Sequence, residues 1–319
     1  MTTILPRTLD LPEFPWDQLA PAKARATEHP GGICDLSVGT PVDDTPAFIR
    51  EALADASNAH GYPTVIGTAE VRDAILAWGQ RRGMVDVGHG GVIPTIGSKE
   101  AVAWIPALLG VRPGDMVLVP EVAYPTYDVG ARLAGATPLP LDTASDPASW
   151  PADVSLIWLN SPGNPDGHVL DLAQLRRIVA WARDRGAVLA SDECYAELTW
   201  SVPEAPSLLD ERVNGGRYAG LLSLYSLSKQ SNLAGYRAAF IAGDARLIAP
   251  LTEVRKHSGF LMPAPVQAAM TWALGDEAHV AAQKGLYRSR RERLLGVLDR
   301  AGLELGPAVH RCGAPGRDG

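Results

Sequence analysis

The residues best able to do chemistry are gathered in Ser226-Leu227-Ser228-Lys229-Gln230-Ser231-Asn232-Leu233-Ala234-Gly235-Tyr236-Arg237. One lysine lies in a loop of small residues, with an arginine eight positions later. A lysine that must form a Schiff base needs this setting: little steric bulk, hydroxyls nearby, and a fixed cation to hold an anionic cofactor. A solvated surface loop can carry the same residues, so the reading depends on partners elsewhere in the chain. Pyridoxal phosphate is the cofactor such a loop would anchor. It requires a lysine amine, a carboxylate on its pyridine nitrogen, donors to its phenolic oxygen, and an anion cup for its phosphate.

Candidates for each requirement are present. Asp192, in Ala187-Val188-Leu189-Ala190-Ser191-Asp192-Glu193-Cys194-Tyr195, ends an apolar run. Its carboxylate can pair with a protonated ring nitrogen and keep the ring an electron sink, or it can cap a following helix. Tyr195 can donate its hydroxyl to the phenolic oxygen, or stand as a half-buried loop aromatic. Asn164, in Asn160-Ser161-Pro162-Gly163-Asn164-Pro165, offers an amide to the same oxygen, although Asn, Gly and Pro also dominate ordinary turns. The phosphate cup would combine Arg237, Ser226 and the turn Gly97-Ser98-Lys99. That turn opens a helix, whose free N–H groups and dipole favour an anion. Taken alone, the serine is an ordinary cap and Arg237 an ordinary ion-pair partner. Tyr124, in Pro120-Glu121-Val122-Ala123-Tyr124-Pro125-Thr126-Tyr127, can stack on the pyridine or pack into the core. The chain has no GxSxG, P-loop or HExxH motif, and its seven histidines show no metal-ligand spacing.

These residues need elements to position them, and the hydrophobic pattern supplies them. Ala47 to Ala59 and Gly67 to Arg82 carry apolar residues at helical spacing. Gly91 to Pro94 reads as a strand, Lys99 to Leu109 as a helix, and Met116 to Val119 as a strand. The clearest βαβ unit follows. Ser155-Leu156-Ile157-Trp158-Leu159 is a strand; Asp171 with Gln174 predicts a capping box. Leu172, Leu175, Ile178, Val179 and Ala182 form one stripe, and Gly186 suits the C′ position. Ala187 to Ala190, Leu221 to Tyr225 and Ala238 to Ala242 are further strands, and from about Pro265 the pattern turns helical through Arg288 to Arg293. Strands this apolar are covered on both faces, which predicts an α/β fold with a mostly parallel sheet wrapped by helices. Ligands in such sheets bind beyond the carboxyl ends of the strands, where Asn160, Asp192 and Lys229 fall. Residues 1–45 are proline-rich without a sustained period, as an irregular lead-in would be.

Composition narrows the partners. The 319 residues, 46% hydrophobic and 20% charged, exceed the usual size of one core, which predicts a large domain and a smaller one. Net charge is −7, and no basic run is interleaved with aromatics, so nucleic acid is not an expected partner. No apolar stretch is long enough to span a membrane, and Met1 to Asp10 lacks a secretory h-region. Cys34, Cys194 and Cys312 show no CxxC pattern and fit reduced thiols in a cytoplasm.

As an ordered set, Gly97-Ser98-Lys99, Tyr124, Asn160-x-Pro162-x-Asn164-Pro165-x-Gly167, Asp192-x-x-Tyr195 and Ser226-x-Ser228-Lys229 with Arg237 resembles the class I/II aminotransferases of the aspartate aminotransferase fold type. The likeness runs from Leu36-Ser37-Val38-Gly39-Thr40-Pro41 through Gly61-Tyr62-Pro63 to the last helices. Ser231 to Phe240 and the N-terminal Leu9 to Asp17 are similar to actinobacterial N-succinyldiaminopimelate aminotransferases of lysine biosynthesis. The resemblance implies fold type I, with an arm and part of the small domain over 1–45, the large cofactor-binding domain over 46–262, and a linker helix with an incomplete small domain over 263–319. It makes Lys229 the covalent anchor and proton carrier, Asp192 the pyridinium partner, and Tyr195 and Asn164 the contacts of the phenolic oxygen. Ser98, Ser226, Arg237 and the Lys99 backbone would hold the phosphate. Tyr62 would reach the neighbouring site of a homodimer. The implied reaction is transamination between an amino donor and a 2-oxo acid, N-succinyl-LL-2,6-diaminopimelate with 2-oxoglutarate/glutamate foremost. A β-lyase of the same fold and a truncated, non-catalytic pyridoxal-phosphate-binding protein stay open. The resemblance also calls for a late arginine that clamps the substrate α-carboxylate. Pro307 to Gly319 carries Arg311 and Arg317 without the family's context, and reads as a disordered or frame-altered tail.

Overall fold

The apolar runs predicted as buried strands assemble into one seven-stranded sheet in the computed structural model, which describes residues 11–303. Its strands are β1 (Val92–Ile96), β2 (Met116–Pro120), β3 (Thr137–Leu141), β4 (Leu156–Asn160), β5 (Val188–Asp192), β6 (Leu221–Ser226) and β7 (Ala238–Gly243). The helices are α1 (Ala20–Thr27), α2 (Ala47–Asp55), α3 (Ala69–Arg81), α4 (Ser98–Leu108), α5 (Thr126–Leu133) and α6 (Leu172–Arg185), then α7 (Glu211–Asn214), α8 (Ala245–Ser258), α9 (Ala264–Gly275) and α10 (Ala278–Arg300).

The strand order is β1-β7-β6-β5-β4-β2-β3. Every pairing from β3 to β6 is parallel, and β7 alone runs against its neighbours β6 and β1. Along β4, Leu156 and Trp158 face one cluster of buried side chains while Ile157 and Leu159 face the other. The period of two therefore buries both faces, because helices cover each. α4, α5 and α8 supply Ile105, Tyr127 and Leu251 on one side; α3, α6 and α9 supply Ile75, Ile178 and Met270 on the other. All four β4 residues are 0% exposed. Each contributes about 1.5–3 kcal/mol relative to exposure, so the site rests on a rigid platform.

The predicted capping box is complete. The Gln174 N–H donates to Asp171 Oδ1 at 2.8 Å and the Asp171 N–H donates to Gln174 Oε1 at 2.9 Å. Gly186 closes α6 in the left-handed conformation at φ 67°. Other elements depart from the sequence pattern. Pro138 and Pro140 obscure β3, which nevertheless pairs with β2 as an edge strand, the place where missing N–H groups are tolerated. The lead-in holds a regular helix, α1, with no buried residue, so apolar periodicity could not reveal it. No helix begins at Asp192, so its capping alternative is not realised. Among the described residues no helix is long and apolar enough to cross a membrane. Arg311, Arg317, Cys312 and the predicted tail lie outside the described residues, as does the stretch up to Asp10.

Candidate active site

Sheet topology brings the chemical residues to one edge. β4, β5 and β6 are parallel, and the register Asn160↔Asp192 sets their carboxyl ends level. Because β7 is antiparallel, its first residue stands at this same edge: Ser226 pairs with Ala239, and Ile96 pairs with Ala238. Gly97 and Arg237, 140 residues apart in sequence, therefore meet beyond adjoining strand ends. Gly97 has φ 79°, and a Cβ built on it would collide with the Arg237 guanidinium. Only glycine serves there, on both counts. Arg237 itself adopts φ 57°, and its Nη1 donates to the Ala234 carbonyl at 2.9 Å. Ser226 Oγ donates to Ser228 Oγ at 2.8 Å and accepts from the Ser228 N–H at 3.2 Å. A cation, a pair of hydroxyls and the amino end of α4 thus converge.

Asp192 lies two strands from Arg237, about 10 Å at the usual strand spacing. Its Oδ2 accepts from the Tyr127 hydroxyl at 2.9 Å and its Oδ1 from the Cys194 N–H at 3.1 Å. Burial nevertheless raises its pKa from the ordinary value, the two donors offsetting only part of that cost. Burial likewise raises the Tyr127 and Cys194 groups well above their ordinary values. Tyr195 is raised by burial first and then by Cys194 and Asp192, so its hydroxyl stays protonated and able to donate. Lys229 is shifted the other way: desolvation lowers its amine, which favours the neutral, nucleophilic form.

The remaining predicted residues fall unevenly. Ser98 opens α4 beside the Cys194 thiol. The Lys99 ammonium turns away to lie 4.9 Å over the Phe14 ring and 5.5 Å over the Tyr124 ring. Tyr124 is wedged against Lys99 and Trp16, whose ring centroid is 6.0 Å away. Asn164 sits in the turn after β4, its N–H donating to Asn160 Oδ1 at 2.7 Å. Tyr62 is 99% exposed, outside the cavity that Lys229 lines.

Lys229 and Tyr195 share a cavity of about 470 Å³ with Pro162, Trp200, Tyr287 and Arg291, a volume ordinary for a small-molecule site. Gly39 to Pro41 form one wall, and Lys229 Nζ donates to the Gly39 carbonyl. This strap is tied down by Asp43, which pairs with Arg290 and accepts from Gln283 Nε2 at 2.7 Å. Tyr127, the strap anchors and Tyr287 were not foreseen as site residues. Tyr127 follows Tyr124 by three positions, and only the fold shows that it reaches Asp192.

Residues 32–310 match the family described as Aminotransferase class I and II. The chain belongs to this family. It is 53% identical over 296 residues to the 4-dedimethylamino-4-oxo-anhydrotetracycline transaminase OxyQ of Streptomyces rimosus, covering 93% of this chain and 82% of that protein. It is 52% identical to the probable aminotransferase Rv1178 of Mycobacterium tuberculosis, covering 92% and 70% respectively. The solved N-succinyldiaminopimelate aminotransferase of Mycobacterium tuberculosis superposes with TM-score 0.77 at 29% identity, covering 84% of this chain and 72% of that one. The α/β architecture is therefore that of fold type I, and members of this family depend on pyridoxal phosphate.

The edge of the sheet fits that group. A glycine turn without room for a side chain, a fixed guanidinium and the paired Ser226 and Ser228 hydroxyls suit a phosphate. A buried carboxylate with raised pKa lacks only a cation, which a protonated ring nitrogen provides. Asp192→Asn tests this in the protein without cofactor. The native carboxyl binds its proton more tightly folded than unfolded, so its contribution to stability falls as pH rises above the unfolded value. Asp192→Asn is expected to raise the melting temperature of the cofactor-free protein at neutral pH and to weaken cofactor binding. Calorimetry with and without pyridoxal phosphate checks both signs.

Proposed function

We propose that this chain transfers an amino group between an amino acid and a 2-oxo acid, with N-succinyl-LL-2,6-diaminopimelate and 2-oxoglutarate/glutamate as the foremost pair. The observation that carries the reading is the convergence of Lys229, Asp192 and the Gly97–Arg237 cup at one sheet edge. In the proposed assignment Ser98, Ser226, Arg237 and the Lys99 backbone hold the phosphate, Tyr195 and Asn164 serve the phenolic oxygen, and Tyr124 flanks the ring. Asp192 would pair with the ring nitrogen and favour its protonated form. The bound cofactor supplies an electron sink for the carbanion that forms at the amino acid's Cα. Lys229 would hold it covalently, and its desolvated amine would carry the proton at the donor's Cα. The Lys229 amine donates to the Gly39 carbonyl of the strap, which places it against that wall. A homodimer in which Tyr62 reaches the neighbouring site completes the proposal, supported by its nearly full exposure in the single chain.

A second reading follows from the Streptomyces rimosus relative, whose name specifies a 4-oxo-anhydrotetracycline compound. The apolar wall of Pro41, Pro162, Pro165 and Trp200 would receive a flat ring system. Half-reactions separate the readings. Mixing the cofactor-loaded protein with glutamate or N-succinyl-LL-2,6-diaminopimelate should convert the visible cofactor band to the amine form with one equivalent of 2-oxo acid. A 4-oxo polycyclic acceptor that restores the band faster than 2-oxoglutarate would favour the second reading. Release of pyruvate and ammonia would mark a lyase, and a band unmoved by every donor a non-catalytic binding protein.

A further inference from the structure

α10 carries a row of polar side chains along one face: His279, Gln283 and Tyr287 follow one another at spacings of four. All three meet the loop that holds Lys229. His279 Nε2 lies 2.8 Å from Ser231 Oγ, and Asn232 Nδ2 donates to Gln283 Oε1 at 2.8 Å. The Tyr287 hydroxyl lies 3.3 Å from both the Lys229 carbonyl and Asn232 Oδ1. Gln283 also faces the strap, donating through Nε2 to Asp43 Oδ2 at 2.7 Å. Asn232 completes the junction. At φ 56° it donates a second time, to the Asp44 carbonyl at 3.2 Å, and its own carbonyl accepts from Thr45 Oγ1 at 3.1 Å.

Gln283 is the one buried residue of α10, at 7% exposure. An apolar side chain would fill that position more cheaply, because burying an amide costs free energy unless both its ends are bonded. Here both are, and only one orientation works. Turned over, the amide would set its N–H groups against those of Asn232 and its carbonyl against the Asp43 carboxylate. One side chain therefore holds the lysine loop by its acceptor and the strap by its donor. The strap in turn meets the reactive amine, since Lys229 Nζ donates to the Gly39 carbonyl. Arg290 first, and then Gln283, hold the Asp43 carboxyl down at about 2, so the strap's anchor is ionised at neutral pH.

We propose that Gln283 is a positioning residue that couples the strap to the Lys229 loop, so that a shift of the wall against the amine is felt in the backbone that carries it. What the coupling serves rests on the transaminase reading above; the coupling itself is tested in the cofactor-free protein. Gln283→Glu keeps the acceptor for Asn232 and sets a second carboxylate against Asp43. Strap release is read as thermolysin cleavage before Val38 or Val42. Loop release is read as hydrogen exchange of the Ser231 and Leu233 N–H groups, which both donate to the Leu227 carbonyl. Gln283→Glu should speed both by about tenfold, the scale of one lost hydrogen bond. Adding Asp43→Asn restores a donor opposite the new carboxylate, and should return both to within about twofold of the parent. Thr45→Val removes a direct bond between strap and loop, and should leave the effect of Gln283→Glu in place. Release of one segment without the other, release of neither, no recovery in the double substitution, or an effect that vanishes with Thr45→Val overturns the proposal. In the cofactor-loaded protein the limiting rate of the half-reaction should fall and recover with loop exchange across the same set, and a rate that does not follow it overturns the positioning role. A parent that reacts with no donor overturns transamination alone, because the exchange result stands without it.

Discussion

Lys229→Ala is expected to abolish the half-reaction with every amino donor while leaving the fold intact. Loss of the proton carrier alone removes on the order of 10²–10⁴-fold in rate. Loss of the covalent anchor removes the visible band as well, so the two effects are read separately: the band by absorbance, the proton transfer by single-turnover kinetics with excess cofactor. The substitution should not destabilise the cofactor-free chain. Burial lowers the Lys229 pKa, so the unfolded state binds more protons between the folded and unfolded values. The group's contribution to stability is therefore unfavourable at neutral pH and recovers as pH rises toward the ordinary lysine value. Removing it should hold or raise the melting temperature at pH 7. Lys229→Arg keeps a charge that cannot be given up, and should restore neither the band nor the rate. A half-reaction in Lys229→Ala above a tenth of the parent rate would sink the assignment.

Much of the platform was legible because it depends on local pattern. Leu156 to Leu159 reads as a strand covered on both faces, and Asp171 with Gln174 reads as a helix start, since neighbours in sequence decide each. The candidate site was legible as residue types at strand ends. What joins them was not. Gly97 reaches Arg237 only because β7 runs antiparallel between β1 and β6, a pairing set by segments 140 residues apart. Tyr127 reaches Asp192 across 65 residues, and Arg290 reaches Asp43 across 247. Neither contact leaves a periodic trace. β3 was hidden by its prolines and α1 by its lack of a buried face, so the rule that finds buried elements passed over both. The wall that α10 gives the cavity left little to read, because Gln283 is the helix's single buried residue.

Arg255→Ala is the substitution expected to cost the most stability, and its effect should extend to the cofactor. Arg255 is 1% exposed and grips Glu100, itself 15% exposed, through Nη1 to Oε1 at 2.7 Å and Nη2 to Oε2 at 3.0 Å. Breaking a buried pair by removing one partner costs about 3–5 kcal/mol, because the other charge is left uncompensated. Against a total of about 5–15 kcal/mol, that threatens the fold near body temperature. Glu100 also sits in the first turn of α4, two residues after Ser98, and its Oε2 accepts from the Ile96 N–H at 3.3 Å. A bare carboxylate there would contest the anion cup, because it occupies the amino end of the helix that should favour phosphate. If the amino end of α4 receives the phosphate as proposed, Arg255 neutralises a charge that would repel it. Arg255→Ala should lower the urea midpoint and weaken pyridoxal phosphate binding together. Arg255→Met combined with Glu100→Gln removes both charges with little loss of volume, and should recover most of each. If the double substitution regains stability but not cofactor affinity, Glu100 and Arg255 act on the fold alone, and the cup owes nothing to their pairing.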